Sequence, residues 1–331
     1  MIAHLLRRLF WSLFTVWAVV TATFFIYNVL PEDPARVIAG PQARPADVAR
    51  IRTQLGLDRP VHVRYGRYMS NLVRIGGPPP DPKNDSAWHL GPLHVDFGVS
   101  YLKRKPVTQL LSKALPPTLL VGFLALAIEV AIGAAAGMLA AMKRHGVLDY
   151  GTVGLTLIGI SAPTFLTGLL LQHLLARELN LFPLDGYGRT TAEQLHAAFL
   201  PALTLGLYGA AYYTRLVRDE MITLLKEDYI RTARAKGQRE WVVVFRHALR
   251  NALLPLVTVI GLSMGSLVGG AIVTEKIFRW PGIGSLSVDA IVERDGPVIM
   301  GVVILFSTVV VLANFLVDLS YAFLDPRIRR R

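Results

Sequence analysis

The sequence contains no cysteine and few charged residues. Because none of its 331 residues is a Cys, disulfides, thiolate metal sites and a cysteine nucleophile are excluded. Asp, Glu, Lys and Arg together make up only 18% of the chain, whereas hydrophobic residues make up 53%. A soluble domain of this length normally carries more charge, so the composition indicates a polytopic membrane protein.

The sequence also lacks the short motifs of common nucleotide and metal sites. No Gly-Lys dipeptide occurs in the chain, and a P-loop needs one to surround a nucleotide's phosphates. We therefore expect no cofactor in this chain, and energy that comes from a partner protein or an ion gradient. His89 and His94 are close in the sequence, but a histidine pair without further ligands is more typical of a loop than of a metal site. No metal site is predicted.

Six apolar segments have the character of membrane spans. They cover residues 9–30, 117–142, 148–175, 199–214, 252–274 and 297–319. A helix of about 20 residues crosses a hydrocarbon core of about 30 Å. The first segment follows a short basic start and ends at Pro31 without a small-residue cleavage site, which favours an uncleaved span.

These segments predict four parts of the chain. They are a first transmembrane helix at 1–30, an external domain of short helices and turns at 31–113, a five-helix transmembrane domain at 114–322 with a loop at 215–250, and a basic tail at 323–331.

The distribution of basic residues predicts the orientation in the membrane. Seventeen Lys and Arg residues lie in the short segments on the side of the N-terminus, and five lie in the short loops on the other side. Short cytoplasmic loops carry the excess of basic residues, so both termini and the loop at 215–250 are expected in the cytoplasm. The net charge of +12 follows from this bias and does not require a nucleic acid partner.

The most informative stretch is residues 229–255, a charged interruption between two apolar segments. Two short helical patterns flank Gly237, and a glycine there commonly ends a helix in a left-handed conformation, so a bend is expected. Trp241, Phe245, Ala248 and Leu249 follow at the spacing of one helix face. A bent, basic and half-apolar projection favours docking into the groove of a partner. The alternative is an amphipathic loop that lies on anionic lipid headgroups.

Motifs in this stretch resemble the cytoplasmic loop of ABC transporter permeases. The residues that carry the likeness are Arg231, Thr232, Ala233, Gly237, His247, Ala248, Leu249, Arg250, Leu254 and Pro255. Arg231 stands where the superfamily pattern has Glu, and Arg250 where it has Pro. Both departures are similar to those of the dipeptide, oligopeptide and nickel permeases.

Other fragments in the order of that family extend the resemblance over nearly the whole chain. They include LPEDPA at 30–35, LGLDRPVHVRY at 55–65, DFGVSY at 96–101 and LPALTLG at 200–206. Each fragment is weak alone, and together they are specific. The resemblance implies an all-α polytopic membrane protein with the type I ABC importer permease fold, that is, six transmembrane helices with an external domain between the first two.

The resemblance also implies a function and a set of partners. The chain would be the permease subunit of an ATP-driven importer of dipeptides or oligopeptides in a bacterial inner membrane, and not itself an enzyme. Its implied partners are a second homologous permease, two cytoplasmic P-loop ATPases that bind ATP and Mg²⁺, an extracytoplasmic substrate-binding protein and membrane lipid. The residues expected to couple to the ATPase are Arg231, Ala233, Lys236 and Gly237, with Trp241 and Phe245 as apolar anchors.

Three further features have expected roles inside or beside the membrane. Glu129 is the acid nearest the middle of a predicted span, and Pro163 interrupts the third span. We expect both in the translocation path, with an interhelical hydrogen bond as the alternative for Glu129. Trp280, Pro281 and Gly282 resemble the hairpin that follows the fifth span in peptide permeases, and are expected to form an external gate.

Three alternative functions stay open on the sequence. One is a gradient-driven peptide carrier that uses Glu129 as a proton site. Another is a membrane scaffold or receptor without transport. The last is an ABC importer for nickel chelates or other small solutes.

Overall fold

The computed structural model describes residues 2–29, 34–40, 42–76 and 86–324. Two compact units result: unit 1 comprises residues 1–116 and 285–312, and unit 2 comprises residues 117–284 and 313–331. Pro31, residues 77–85 and most of the basic tail expected at 323–331 lie outside the described residues. The domain boundaries expected from the sequence stay predictions.

Unit 1 starts with one long apolar helix and continues with short elements. The helices are α1 (Ile2–Val29), α2 (Pro34–Ala39), α3 (Pro45–Gln54) and α4 (Val61–Leu72). Aromatic rings join α4 to the last turns of α1. Tyr65 contacts Phe24 and Phe25 with ring centroids 5.3 and 5.5 Å apart, and its Oη lies 2.8 Å from Thr21 Oγ1. These contacts hold α4 at one end of α1.

A small antiparallel sheet follows α4, where the sequence predicted only short helices and turns. Its strands are β1 (Val73–Ile75), β2 (Ala87–Leu90) and β3 (Leu93–Asp96), in the order β1-β3-β2. Strands of three and four residues are too short to display the alternation that identifies a strand. His89 pairs with His94 across β2 and β3, with their Nδ1 atoms 2.5 Å apart.

A buried carboxylate ties the end of unit 1's helices to the segment after β3. Asp295 directly precedes α14 (Gly296–Leu324) and is almost fully buried. Its carboxylate accepts hydrogen bonds from Ser100 Oγ at 2.5 Å and from the Tyr101 amide at 3.2 Å. Ser100 and Tyr101, the last two residues of the family-like fragment DFGVSY, therefore bond to a residue almost two hundred positions away in the chain.

Unit 2 contains most of the long helices. In chain order they are α5 (Val107–Met142), which begins in unit 1, α6 (Val147–Ser161), α7 (Thr164–Leu171), α8 (Thr191–Leu224), α9 (Asp228–Ala235), α10 (Glu240–Val242), α11 (Arg250–Ala252) and α12 (Leu254–Ile277). Two π-helical stretches, Gln172–Glu178 and Val243–Leu249, extend α7 and join α10 to α11. The chain then passes through α13 (Ile283–Val292) to α14.

Helices α5 and α8 pack closely because glycine lies at their contact. A β-carbon on Gly133 would overlap Tyr213, and one on Gly137 would lie 2.6 Å from the carbonyl oxygen of Thr214. From the other helix, a β-carbon on Gly206 would lie 2.6 Å from a side-chain carbon of Ile128. Lipid provides no hydrophobic force between helices, so this close approach is what gives them van der Waals contact.

An ion pair fixes the start of α6 against α8. Asp149 is almost fully buried and accepts hydrogen bonds from Arg218 Nε at 2.5 Å and Arg218 Nη2 at 3.0 Å. The amide of His145 donates a third at 2.9 Å. A buried carboxylate with this many donors is fully satisfied, so removal of the arginine would leave a costly unpaired charge.

Four helices in the described part of the chain are long and apolar enough to cross a membrane. They are Arg7–Tyr27, Val107–Met142, Thr191–Leu224 and Gly296–Phe315. A fifth span results if Val147–Ser161 and Thr164–Glu178 are counted together. The predicted crossing at 252–274 begins two residues before α12 and otherwise lies within it; several side chains of α12 lie outside the described part.

The third predicted span is not one straight helix. The sequence predicts one crossing at 148–175 that is interrupted by Pro163, and the two helices of this stretch are bent by 104° at a break next to Pro163. Pro163 is the N-cap of α7 with ψ +132°, and Ala162 before it is extended. A proline disfavours helical geometry in the preceding residue and removes a backbone donor, so the helix ends and restarts here.

Substitution of glycine in α5 tests the close contact with α8. Gly137→Ala should lower the free energy of unfolding in detergent by about 1–3 kcal/mol, because overpacking forces the backbones apart. Gly122→Ala is the matched control on the same helix, since its β-carbon would meet nothing within 4 Å; it should be neutral or stabilising. Thermal unfolding measures both. Equal stability of the two variants would contradict the contact.

Candidate functional site

The charged interruption forms a bent segment, residues 228–252, made of α9, α10, the π-helical stretch and α11. Gly237 lies between its two arms with φ +74°. The Gly237 amide donates to the Arg234 carbonyl at 2.9 Å, and the Gln238 amide donates to the Ala233 carbonyl at 3.3 Å. This pair of bonds is the Schellman arrangement that ends helices at a left-handed glycine. The predicted bend at Gly237 is present.

Side chains on the two arms hold the bend closed. Arg234 donates from Nε and Nη2 to the two carboxylate oxygens of Glu240, at 3.1 and 2.6 Å. This bidentate bond lowers the pKa of the Glu240 carboxyl below its usual value, so the pair stays charged at neutral pH. Beyond it, Gln238 Oε1 and His247 Nε2 lie 2.8 Å apart. The bend is therefore fixed by its own side chains as well as by the glycine.

One face of the bent segment is buried in unit 2. Ile230 of α9 and Val243 and Val244 of the π-helical stretch are essentially inaccessible to solvent. They belong to one apolar cluster with Met138 of α5 and Met221 of α8. Full burial of such a side chain stabilises by about 1.5–3 kcal/mol. The segment is thus packed onto the ends of two long helices rather than suspended as a loop.

The opposite face of the segment presents large apolar side chains to solvent. Trp241 is 62% exposed and Phe245 is 51% exposed, one turn apart. The sequence predicts Trp241, Phe245 and Ala248 on one face, but Ala248 is fully buried. The π-helical turn has more residues per turn than an α-helix, so the face rotates between Phe245 and Ala248. Exposed aromatic groups on a well-anchored scaffold are typical of a protein interface.

The other residues expected to couple to the ATPase differ in their exposure to solvent. Arg231 is highly exposed and pairs with Asp228 at 3.5 Å. Lys236 is exposed at the C-cap of α9. Ala233, also expected to contact a partner, is only 7% exposed. Its methyl group packs inside the chain's own apolar cluster, so Ala233 helps to position the segment, and its coupling to a partner stays a prediction.

The two residues expected in a translocation path have different surroundings. Glu129 on α5 is 4% exposed and packs against Gly209 of α8, where a β-carbon would overlap its carboxyl group. The structure gives its carboxyl no hydrogen-bond partner among the described residues, so the alternative of an interhelical hydrogen bond is not seen. Pro163 is exposed at the break between α6 and α7. A role in a path stays a prediction for both.

The hairpin expected to form an external gate is anchored by a buried acid that sequence reasoning missed. Trp280 is fully buried and donates from Nε1 to the Pro117 carbonyl at 3.0 Å. Glu275, also fully buried, accepts from Thr118 Oγ1 at 2.7 Å and lies against Gly282. Pro281, between Trp280 and Gly282 in the hairpin, is exposed. These hydrogen bonds hold the buried hairpin in place, and any motion of it would have to break them. Its role as an external gate stays a prediction.

Glu275 and Asp295 carried little signal in the sequence. Each is the acid just before or after an apolar stretch, where an exposed side chain is the ordinary expectation. Their partners, Thr118 and Ser100, are 157 and 195 residues away in the chain. A cue was available in the neighbouring family-like fragments, whose polar residues had no local explanation.

Two family models match the chain and together cover almost all of it. Residues 133–330 match the binding-protein-dependent transport system inner membrane component. Residues 1–122 match the N-terminal family of the same membrane components. The chain belongs to this permease family. The permease is thus a multi-pass component of an ABC importer, and the gradient-driven carrier and the scaffold or receptor are set aside.

Curated relatives agree along the full length of the permease. It is 39% identical over 329 residues to the glutathione transport system permease protein GsiC of Escherichia coli (strain K12), with 99% of each chain covered. The protein of the same name from Salmonella typhi is equally similar, at 39% identity over 329 residues and 99% of each chain.

Solved structures show the same fold. The permease is similar to the MetNI methionine ABC transporter in inward facing conformations, with a TM-score of 0.54 and 20% identity. The likeness covers 64% of the permease and 95% of the other chain. A second crystal form of that transporter gives the same TM-score at 21% identity. The type I ABC importer permease fold expected from the sequence is confirmed.

The two faces of the bent segment are expected to respond differently to truncation. Val244→Ala should lower the free energy of unfolding by about 1.5–3 kcal/mol, because it removes buried methyl groups and leaves a cavity. Phe245→Ala, one position later and half exposed, should change stability by less than about 0.5 kcal/mol. Chemical denaturation of the purified permease measures both. If Phe245→Ala were as destabilising as Val244→Ala, the assignment of faces would be wrong.

Proposed function

We propose that this permease carries short peptides across the cytoplasmic membrane and that its bent segment docks onto a P-loop ATPase. The observation that carries the proposal is the exposed aromatic pair Trp241 and Phe245 on a segment whose other face is buried in unit 2. An exposed apolar pair of this kind lowers the solubility of the protein unless a partner covers it. The chain has no Gly-Lys dipeptide with which to build a nucleotide site of its own.

The chemistry of the segment fits a helix-in-groove contact. Trp241 and Phe245 are spaced as anchors of one helical face, and Arg231 and Lys236 flank them with positive charge. Anchors of this type supply affinity, while rim charges steer association and fix register. ATP and Mg²⁺ would be bound by the partner. In this proposal both termini and the bent segment are cytoplasmic, as the excess of basic residues favours.

The proposed substrates are peptides of a few residues, with glutathione the first to test. Support comes from the 39% identity over 99% of the chain to glutathione permeases. Dipeptides, oligopeptides and nickel chelates are the other substrates proposed for permeases of similar sequence. Specificity would rest largely on a separate substrate-binding protein, and a second permease subunit would complete the path.

Truncation of the exposed anchors tests the docking proposal. Trp241→Ala should weaken association with the co-expressed ATPase about thirtyfold, because a central aromatic anchor is worth about 2 kcal/mol or more. Val292→Ala is the control, since Val292 is a similarly exposed apolar side chain on α13. Co-purification and crosslinking from position 241 measure the contact. Crosslinks to lipid alone in a working transporter would refute the docking site.

The bend itself is tested by proline. Gly237→Pro requires φ near −65° where the chain has +74°, and it removes the amide that bonds Arg234. Substrate-stimulated ATP turnover and uptake should be lost, while insertion into the membrane is retained. Normal uptake by this variant would contradict the coupling role.

Substrate class is tested by competition. Cells that depend on this importer should accumulate labelled glutathione, and unlabelled dipeptides should compete if the path accepts short peptides generally. Uptake of nickel chelates without uptake of either peptide would replace the proposed substrate class while leaving the docking proposal intact.

A further inference from the structure

Unit 1 contains a cavity of about 320 Å³ at the ends of two membrane spans. Phe24 and Tyr27, in the last turns of the span Arg7–Tyr27, form part of its wall. Gly296 and Met300, in the first turns of the span Gly296–Phe315, form another part. The ring of Tyr27 lies directly against Gly296, where a β-carbon would overlap it. The two spans therefore end at the same membrane surface, and the cavity lies at that level.

The polar wall of the cavity comes from one face of α4. Arg64, Arg67, Tyr68 and Asn71 follow each other at helical spacing and all line the cavity. Arg67 has no carboxylate partner among the described residues, and its Nη1 lies 3.5 Å from where a β-carbon on Gly56 would be. Guanidinium, phenol and amide groups are all hydrogen-bond donors, and the first binds phosphate through paired N–H groups.

One donor of this polar wall, the hydroxyl group of Tyr68, has no acceptor among the described residues. Its Oη is buried and has no hydrogen-bond partner in the described part of the chain, although its ring packs on Phe24 with centroids 5.5 Å apart. Burial raises the pKa of the Tyr68 phenol, so the group stays protonated and can donate. A buried donor without an acceptor costs about 1–3 kcal/mol, which a ligand oxygen would recover.

The acid that lines the cavity does not cancel this positive character. Asp96 accepts hydrogen bonds from Ser86 Oγ and the Gly98 amide, both at 2.8 Å, and lies 3.6 Å from Arg74. Its charge is thus satisfied within the sheet and the turn that follows. Among the lining residues that the structure describes, Arg67 therefore adds a guanidinium without a carboxylate partner, and Phe24 and Met300 supply an apolar floor.

We propose that this cavity binds the phosphate headgroup of an anionic phospholipid, in the membrane leaflet at which α1 ends and α14 begins. The arginine and tyrosine donors would hold the phosphodiester oxygens, and the acyl chains would descend along α1, where Ile26 is highly exposed. Basic pockets between membrane helices at the interface are suited to anionic headgroups. A free phosphate ester shares this chemistry but has no use for the apolar floor or for the position at the membrane surface.

The test uses the full-length permease with its co-expressed partner subunits in detergent. Phosphatidylglycerol, phosphatidylcholine and soluble glycerol phosphate are titrated separately, with bound ligand counted by native mass spectrometry and Tm followed. Wild type should retain phosphatidylglycerol and gain Tm with it. Arg67→Gln and Tyr68→Phe should each lower the apparent affinity for phosphatidylglycerol about tenfold. Arg50→Gln, an exposed arginine of α3 away from the cavity, should leave it unchanged.

Tyr68→Phe separates a lipid site from a structural role. It keeps the ring on Phe24 and removes only a hydroxyl without a partner, so Tm without lipid should be unchanged or higher. Equal retention of phosphatidylglycerol by all variants would overturn the proposal, as would equal binding of phosphatidylcholine. Binding of glycerol phosphate without binding of phosphatidylglycerol would also overturn it and assign the cavity to a soluble phosphate ester.

Discussion

The packing of the bent segment onto the ends of α5 and α8 is the interaction on which the proposed docking site depends. Ile230, Val243 and Val244 share one apolar cluster with Met138 and Met221. Several fully buried side chains contribute more than the exposed ion pairs of the segment, which are worth about 0–1 kcal/mol each. The outward face with its aromatic pair therefore takes its position from the membrane helices and not from its own charges.

The features that were predictable are those with local causes. Apolar length predicts the long helices, and the turn chemistry of Gly237 predicts the bend, because both depend on residues that are adjacent in the chain. The buried side of the segment was less accessible to prediction. Ala233 and Ala248 become inaccessible only because two distant helices pack over them, and a π-helical turn shifts the spacing on which the helix-face argument relied.

Pairings over long sequence distances were beyond prediction. Glu275 meets Thr118, and Asp295 meets Ser100, through bonds that nothing near either acid announces. In both cases a buried carboxylate accepts hydrogen bonds from hydroxyl or amide donors. Loss of the donors would leave a buried charge unsatisfied, which is costly. The Glu129 carboxyl is also buried, against Gly209, but it has no hydrogen-bond partner among the described residues.

The length of α8 determines how far a small displacement of the bent segment would travel. The helix is 34 residues long, about 51 Å at 1.5 Å per residue. Met221, near its far end, is in the cluster that holds the segment, whereas Leu200 lies more than thirty ångströms along the same rod by that rise of about 1.5 Å per residue. A tilt of about 5° about one end would move the other by about 4 Å, roughly the width of a methylene chain, with no change in the helix itself. A slight tilt at one end of α8 would thus become a displacement of several ångströms at the other end.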